Sequence, residues 1–141
     1  MKILLDTNVA LDAIASRKPY NKNAEKIFLL TAEEKIEGFI TANCVTDIYY
    51  IARKTLTDAG ARGALRYMFS IFSVVDIRGK DCETALELPI ADYEDALLTV
   101  CAKKIAVDYI ITRDEDLQKA SPGVPAISPS GFLRIFPARG D

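Results

Sequence analysis

The chain of 141 residues contains no histidine. This absence excludes Ser-His-Asp and Cys-His nucleophilic catalysis, HExxH metalloproteases and zinc sites built on histidine. Any chemistry must instead use carboxylates, hydroxyls, lysine or arginine. A metal bound through such groups would be an oxygen-preferring ion such as Mg²⁺ or Mn²⁺.

Cysteine is also scarce. The three cysteines, Cys44, Cys82 and Cys101, form no CxxC pair, and their number is odd. Such a set does not suit a disulfide framework, and two of the three fall in apolar helical patterns. We therefore expect reduced thiols in the core of the protein.

Long apolar runs are missing as well. No stretch approaches the roughly 18 consecutive apolar residues of a membrane span, and the apolar run near the N-terminus is too short for a secretory signal. We therefore expect a cytoplasmic protein that does not enter a membrane. With 50% hydrophobic and 27% charged residues, the composition is typical of a globular protein, and the length predicts a single domain over residues 1–141.

An excess of positive charge is absent too. The net charge of −2 provides no electrostatic footprint for nucleic acid. The acids are unevenly distributed, however, and two bound divalent cations would reverse the sign of the net charge. The net charge therefore does not exclude a phosphodiester substrate.

Short apolar runs alternate with helical patterns along the chain, which predicts an α/β fold with a parallel sheet. The first run, around Leu4, contains three large aliphatic residues in succession, as expected of a strand buried on both faces. The predicted strands are 3–5, 38–41, 73–77, 107–112 and 125–127. The predicted helices are 8–17, 20–35, 43–56, 61–72, 81–88, 92–105 and 128–136, with a turn at 57–60 and a charged loop at 113–117.

Acids stand where several of these elements meet. Asp6 ends the first strand, Asp47 follows the second near the first turn of a helix, Asp95 lies at the start of another helix, and Asp114 and Asp116 follow the fourth strand. The carboxyl ends of parallel strands share one edge of a sheet, where ligands bind in such folds. We therefore expect these five acids to converge there.

Each acid also has a plainer interpretation. Asp6 can cap the helix that follows it, Asp47 can interact with a helix dipole, and Asp92 with Asp95 can form an N-terminal cap. A charged run such as 113–117 is usually a solvated loop. Clustered carboxylates repel one another, however, and holding them together is costly unless a cation neutralises them.

A pocket of this kind could hold one or two Mg²⁺ or Mn²⁺ ions that orient a phosphodiester and activate a water. Thr112 could fix a ligand carboxylate or a water. We expect Asp12 to be solvated, Asp76 to play no part in the site, and Tyr49 and Tyr50 to pack rather than to stack on bases.

Four short motifs contain the acids at strand ends and helix starts: Leu4-Leu5-Asp6-Thr7-Asn8, Thr46-Asp47, Asp92-Tyr93-Glu94-Asp95-Ala96-Leu97 and Ile111-Thr112-Arg113-Asp114. In their order and spacing, over residues 1 to 136, they resemble the motifs of the PIN domain family. The resemblance is to the small VapC-like toxins. It implies a three-layer α/β/α sandwich around a central parallel sheet, and a Mg²⁺- or Mn²⁺-dependent ribonuclease that hydrolyses RNA. It further implies homodimers and a small antitoxin protein that blocks the site.

The same resemblance implies roles for individual residues. It implies four metal ligands, one of which, Asp116, is an additional candidate. Two further residues would contact the ligands rather than the metal. Asp47 stands where the family usually has Glu, so its carboxylate is withdrawn by one methylene and would reach the metal through a water. The ligands are Asp6, Asp95, Asp114 and Asp116, and the supporting residues are Asn8 and Thr112.

Two other functions are compatible with parts of the pattern. A phosphatase of the haloacid-dehalogenase type also has strand-end acids with Mg²⁺, but it requires DxD after its first strand, and Asn8 stands at that third position. A PIN-like module that binds RNA or a protein without cleaving would fit the departure at Asp47. Cleavage that requires Asp6 distinguishes these functions.

Overall fold

The computed structural model describes residues 1–120 and 123–136. Strands and helices alternate along this part of the chain, as the sequence pattern predicts. The strands are β1 (Lys2–Leu5), β2 (Glu37–Thr41), β3 (Phe72–Val75), β4 (Tyr109–Ile111) and β5 (Ala126–Ile127). The helices are α1 (Thr7–Ile14), α2 (Asn21–Ala32), α3 (Ala42–Ile71), α4 (Gly79–Leu86), α5 (Tyr93–Lys104), α6 (Glu115–Ala120) and α7 (Pro129–Ile135).

The five strands form one parallel sheet in the order β3-β2-β1-β4-β5. β1 is central, with Leu4 opposite Phe39 of β2 and Ile110 of β4. Helices bury the side chains on both faces of β1, which explains its uninterrupted aliphatic sequence. The backbone N–H of Asp6 donates to the carbonyl of Ile111 at 3.0 Å, so the pairing continues one residue beyond the strand.

Helices cover both faces of the sheet. Ile3 and Leu5 pack with α1, α2, α3 and α7 on one face, while Leu4 and Ile110 pack with α5 and α6 on the other, where α4 packs on α5. This alternation follows from the two-residue period of a strand. The predicted three-layer α/β/α sandwich around a central parallel sheet is confirmed. None of the helices in the described ranges combines the length and apolar character needed to cross a bilayer.

Helix α3 contains the break that the sequence predicts, although in a different form. Thr57 has φ 67° and ψ 172°, so two helical segments meet at this residue. The predicted turn at 57–60 is therefore confined to one residue, and Asp58 and Gly60 are helical.

Two further predictions differ from the structure near β4. The strand covers Tyr109–Ile111 rather than 107–112, and the charged run at 113–117 is only partly a loop, because α6 begins at Glu115. Asp114 initiates this helix, since its Oδ1 accepts hydrogen bonds from the N–H groups of Asp116 and Leu117. Short polar side chains before a helix commonly have this effect.

Candidate active site

Asp6 is placed by the end of β1 and the beginning of α1. It is the N-cap of α1, and its Oδ1 accepts a hydrogen bond of 2.8 Å from the N–H of Thr7. Its Oδ2 accepts a second hydrogen bond of 2.7 Å from Oγ1 of Thr112. Asp6 therefore caps the helix and also faces the end of β4. Burial raises the pKa of Asp6, as does the charge of Asp114, while the two hydrogen bonds act in the opposite direction.

Thr112 connects Asp6 to Asp114. Its side chain is fully buried, and its Oγ1 accepts a hydrogen bond of 3.0 Å from the N–H of Asp114 while it donates to Asp6. Its carbonyl accepts from Nε2 of Gln118 at 3.1 Å. The short segment after β4 is thereby ordered from both sides, and Asp114 is held near Asp6.

Asp95 enters the site from the start of α5. Asp92 is the N-cap of this helix, and its Oδ1 accepts from the N–H of Asp95 at 3.0 Å, as the sequence predicts. Burial, the charges of Asp92 and Asp6, and contact with Asp114 raise the pKa of Asp95 to about 7. A capping residue alone does not require such an environment.

Asp47 lies on the second turn of α3, directly after the first turn near which the sequence placed it. The helix begins at Ala42 and has no acid in its first turn. An interaction with the helix dipole fades within the first turn, so the dipole does not explain this acid. Desolvation and the charge of Asp47 together raise the pKa of Glu94, which places these two carboxylates near each other.

The four acids predicted to be catalytic line one cleft of about 500 Å³. Among the described residues that line it, Arg17 is the single basic one. Asp116 is exposed on α6 and is not one of these described lining residues, so the structure does not bring this predicted ligand into the cleft. The lining residues are Asp6, Thr7, Asn8, Leu11, Arg17, Asp47, Ile51, Asp92, Glu94, Asp95 and Asp114.

The donor chemistry of the cleft suits a hard divalent cation. Its donors are carboxylate and amide oxygens, the ligands that Mg²⁺ and Mn²⁺ prefer. Oδ1 of Asn8 is buried and has no hydrogen-bond partner in the structure. Within residues 1–120 and 123–136, however, no three acidic or cysteine side chains form a ready-made ligand cluster.

Asp12 is a residue whose environment the sequence did not predict. We expected a solvated side chain, and this expectation is wrong, because Asp12 has 0% exposure. Its Oδ2 accepts a hydrogen bond of 2.6 Å from Nε of Arg113, and its Oδ1 accepts one of 3.1 Å from Nη2 of the same residue. The feature of the sequence that could have indicated this burial is the position of Asp12 directly after the apolar residues Val9, Ala10 and Leu11. Its partner lies 101 positions away and has no local signature.

Comparison with known proteins agrees with this architecture. The profile of the PIN domain family matches residues 2–116. The chain therefore belongs to the PIN domain family. No curated protein sequence matches the chain.

Several solved structures share the fold. The chain is similar to DNA-bound VapBC from Salmonella typhimurium, with a TM-score of 0.69, 19% identity, and coverage of 92% of this chain and 98% of that one. It is similar to VapC20 from Mycobacterium tuberculosis, described as a toxin that cleaves the sarcin-ricin loop, with a TM-score of 0.68, 14% identity, and coverage of 84% and 94%. VapBC2 from Rickettsia felis, bound to a DNA fragment from the promoter, gives a TM-score of 0.68, 19% identity, and coverage of 91% and 98%.

Proposed function

We propose that this protein is a Mg²⁺- or Mn²⁺-dependent endoribonuclease that hydrolyses RNA phosphodiesters in the acidic cleft. The observation that carries this proposal is the meeting of Asp6, Asp47, Asp95 and Asp114 in one cleft. These acids come from four separate segments of the chain. Repulsion between carboxylates makes such an arrangement unfavourable unless a cation or bound protons compensate it.

In this proposal Asp6, Asp95 and Asp114 hold the cation, and Asp47 contributes through a water because its side chain is one methylene shorter than Glu. A bound divalent cation supplies an activated water at neutral pH and neutralises charge on the phosphate. Asp116 joins the ligands only if its side chain moves towards the cleft.

The surrounding residues prepare the ligands for this role. The hydroxyl of Thr112 orients Asp6, and Asn8 donates to the same carboxylate from Nδ2 at 3.4 Å. Oδ1 of Asn8 is buried without a hydrogen-bond partner, so it would reach a bound water or a ribose hydroxyl only after a local rearrangement. Without a cation, Asp95 holds a proton over part of the neutral pH range, because its pKa is raised to about 7. Binding of the ion displaces that proton.

We further propose that the protein, as one domain, is the toxin of a toxin-antitoxin pair, acts in the cytoplasm and forms a homodimer. Support for an antitoxin partner comes from the structural likeness to VapBC complexes of Salmonella typhimurium and Rickettsia felis. An antitoxin of this kind would suppress cleavage when it is added to the purified protein.

The test is cleavage of a mixed RNA pool by the purified protein with Mn²⁺, Mg²⁺ or EDTA. We expect cleavage with either metal and none with EDTA. Asp6→Asn and Asp95→Asn should lower the rate by more than about 100-fold, beyond the 10–100-fold loss typical of residues that only support a ligand. Asparagine is also a common N-cap residue, so Asp6→Asn retains the cap of α1.

Asp76→Asn is the matched control, because Asp76 is an exposed acid directly after β3 and lies outside the described lining of the cleft. This variant should cleave as the wild type does. If folded wild-type protein, free of a bound inhibitor, cleaves no RNA with either metal, the nuclease proposal is wrong. RNA binding without cleavage would then favour an inactive PIN-like module. The shorter side chain of Asp47 also fits that alternative.

A further inference from the structure

Asp12 is a fully buried acid outside the set of cleft-lining residues. It lies on α1, six positions after Asp6. Burial of a carboxylate is unfavourable unless the charge is paired and hydrogen bonded. Arg113 pairs with it through two nitrogens, at 2.6 and 3.1 Å, and Nε of Arg17 lies 3.7 Å from Oδ1. The two-nitrogen contact fixes the direction of the Arg113 guanidinium as well as its distance.

Arg113 stands between Thr112 and Asp114, two residues of the acidic site. Its guanidinium carbon lies 3.9 Å from the ring centroid of Tyr20, so the side chain contacts Tyr20 and Asp12. Thr112 meanwhile directs its hydroxyl to Asp6. Contacts on both sides therefore hold this segment of three residues.

The segment is joined to the β1–α1 unit at two points. One is the hydrogen bond between Thr112 and Asp6, and the other is the pair between Arg113 and Asp12. The backbone N–H of Thr112 also donates to the carbonyl of Ile127 at 3.0 Å, and the two side-chain links restrict the orientation of the segment further. The position of Asp114 relative to Asp6 depends on this orientation.

We propose that Asp12 is a positioning residue. Through Arg113, it holds Thr112 and Asp114 in the orientation that cation binding at Asp6 requires. This inference rests on the proposed function, because it assumes that the acidic cleft binds a divalent cation.

A purely stabilising ion pair provides the matched control. Asp81 is nearly buried, and its Oδ2 accepts a hydrogen bond of 2.6 Å from Nζ of Lys104. Lys104 is the last residue of α5, whereas Asp95 lies in the first turn of this helix. Asp81→Asn therefore removes a charge pair of similar length without reaching the segment after β4.

The experiment measures Mn²⁺ affinity by isothermal titration calorimetry in the wild type, Asp12→Asn, Arg113→Lys and Asp81→Asn. Asp12→Asn should weaken Mn²⁺ binding at least about tenfold, as expected when a partner of metal ligands is lost. Arg113→Lys retains the positive charge but loses the two-nitrogen contact, so it should weaken binding in the same direction. Asp81→Asn should bind Mn²⁺ as the wild type does, even where it unfolds at a lower temperature.

A second readout requires no metal. The amide of Asp114 donates to Thr112, and the amide of Asp116 donates to Asp114. Hydrogen exchange of these two amides, followed by NMR in metal-free protein, should accelerate in Asp12→Asn and Arg113→Lys and remain unchanged in Asp81→Asn. This readout distinguishes loss of local order from a general loss of stability.

The outcomes separate this inference from the proposed function. If the wild type binds Mn²⁺ and folded Asp12→Asn or Arg113→Lys binds it equally well, the positioning role is wrong and the nuclease proposal stands. If the wild type binds no Mn²⁺, the metal-dependent function and the positioning role both fail. Faster exchange at Asp114 would then show only that Asp12 orders the segment.

Discussion

Oγ1 of Thr112 donates a hydrogen bond of 2.7 Å to Oδ2 of Asp6 and joins two strand ends that are 106 positions apart in the sequence. The same hydroxyl accepts from the N–H of Asp114. One buried oxygen thus links two of the proposed metal ligands. This hydroxyl maintains the distance between Asp6 and Asp114.

Thr112→Val tests this link, because valine keeps the shape of threonine and removes the hydroxyl. We expect a lower free energy of unfolding by about 1–3 kcal/mol, since a buried N–H and a carboxylate both lose a partner. Mn²⁺ affinity should fall about tenfold or more. Urea denaturation and calorimetry measure the two effects. Thr112→Ser retains the hydroxyl and should preserve Mn²⁺ affinity, whereas equal affinity in the valine variant would contradict the linking role.

The stability of the metal-free protein should depend on pH through Asp95. The pKa of Asp95 is about 7 in the folded protein, above its ordinary value of 3.8. Between these two values the folded state binds more protons than the unfolded state, so the free energy of unfolding falls as pH rises from about 4 to about 7. Urea denaturation in EDTA at a series of pH values measures the slope.

Asp95→Asn is the control for this pH dependence. The variant cannot ionise at that position, so the decline should be shallower, although Asp6, whose pKa is also raised, contributes a remainder of the same sign. Equal slopes in the two proteins would show that Asp95 does not carry the raised pKa.

Asp47→Glu should improve the site. The added methylene extends the carboxylate further into the cleft that Asp47 lines, and we expect tighter Mn²⁺ binding and faster RNA cleavage than in the wild type. Asp47→Gln has the same length without the charge, so it should show neither gain. Cleavage by Asp47→Glu at or below the wild-type rate would argue that the shorter acid already has the appropriate length.

Gly38→Ala should destabilise the sheet without affecting the chemistry. A Cβ at this position would lie 2.5 Å from the Phe72 ring and 2.8 Å from Cγ2 of Thr31. Crowding of this kind costs about 1–3 kcal/mol. Gly63→Ala is the contrasting variant, because nothing lies within 4 Å of its Cβ and alanine favours the helix. Thermal unfolding should move in opposite directions in the two variants, while their Mn²⁺ affinities should match the wild type.

The sequence was informative wherever the cause of a structure is local. The aliphatic run before Asp6 predicted the central strand, and the alternation of runs and helical patterns predicted the layers. Asp6, Asp47, Asp95 and Asp114 could be found because the ends of parallel strands meet at one edge of a sheet. This property of parallel sheets places the acids in the same region but does not specify their side-chain contacts.

The remaining features depend on contacts that are distant in the sequence. We expected Asp12 to be solvated because no neighbouring residue in the sequence indicates its distant partner, Arg113. The predicted turn at 57–60 is confined to Thr57, because Asp58 and the residues after it are helical. Asp116 belongs to the same acidic run as Asp114 and was predicted as an additional ligand, but it is exposed on α6 and is not among the described residues that line the cleft.

The central place of β1 has a consequence for biosynthesis. The ribosome makes β1 before β4, and β4 can pair with β1 only after more than 100 further residues have been added. Until then Asp6 has neither Thr112 nor Asp114 beside it. A nascent or prematurely terminated chain that ends before β4 therefore lacks the complete acidic cleft.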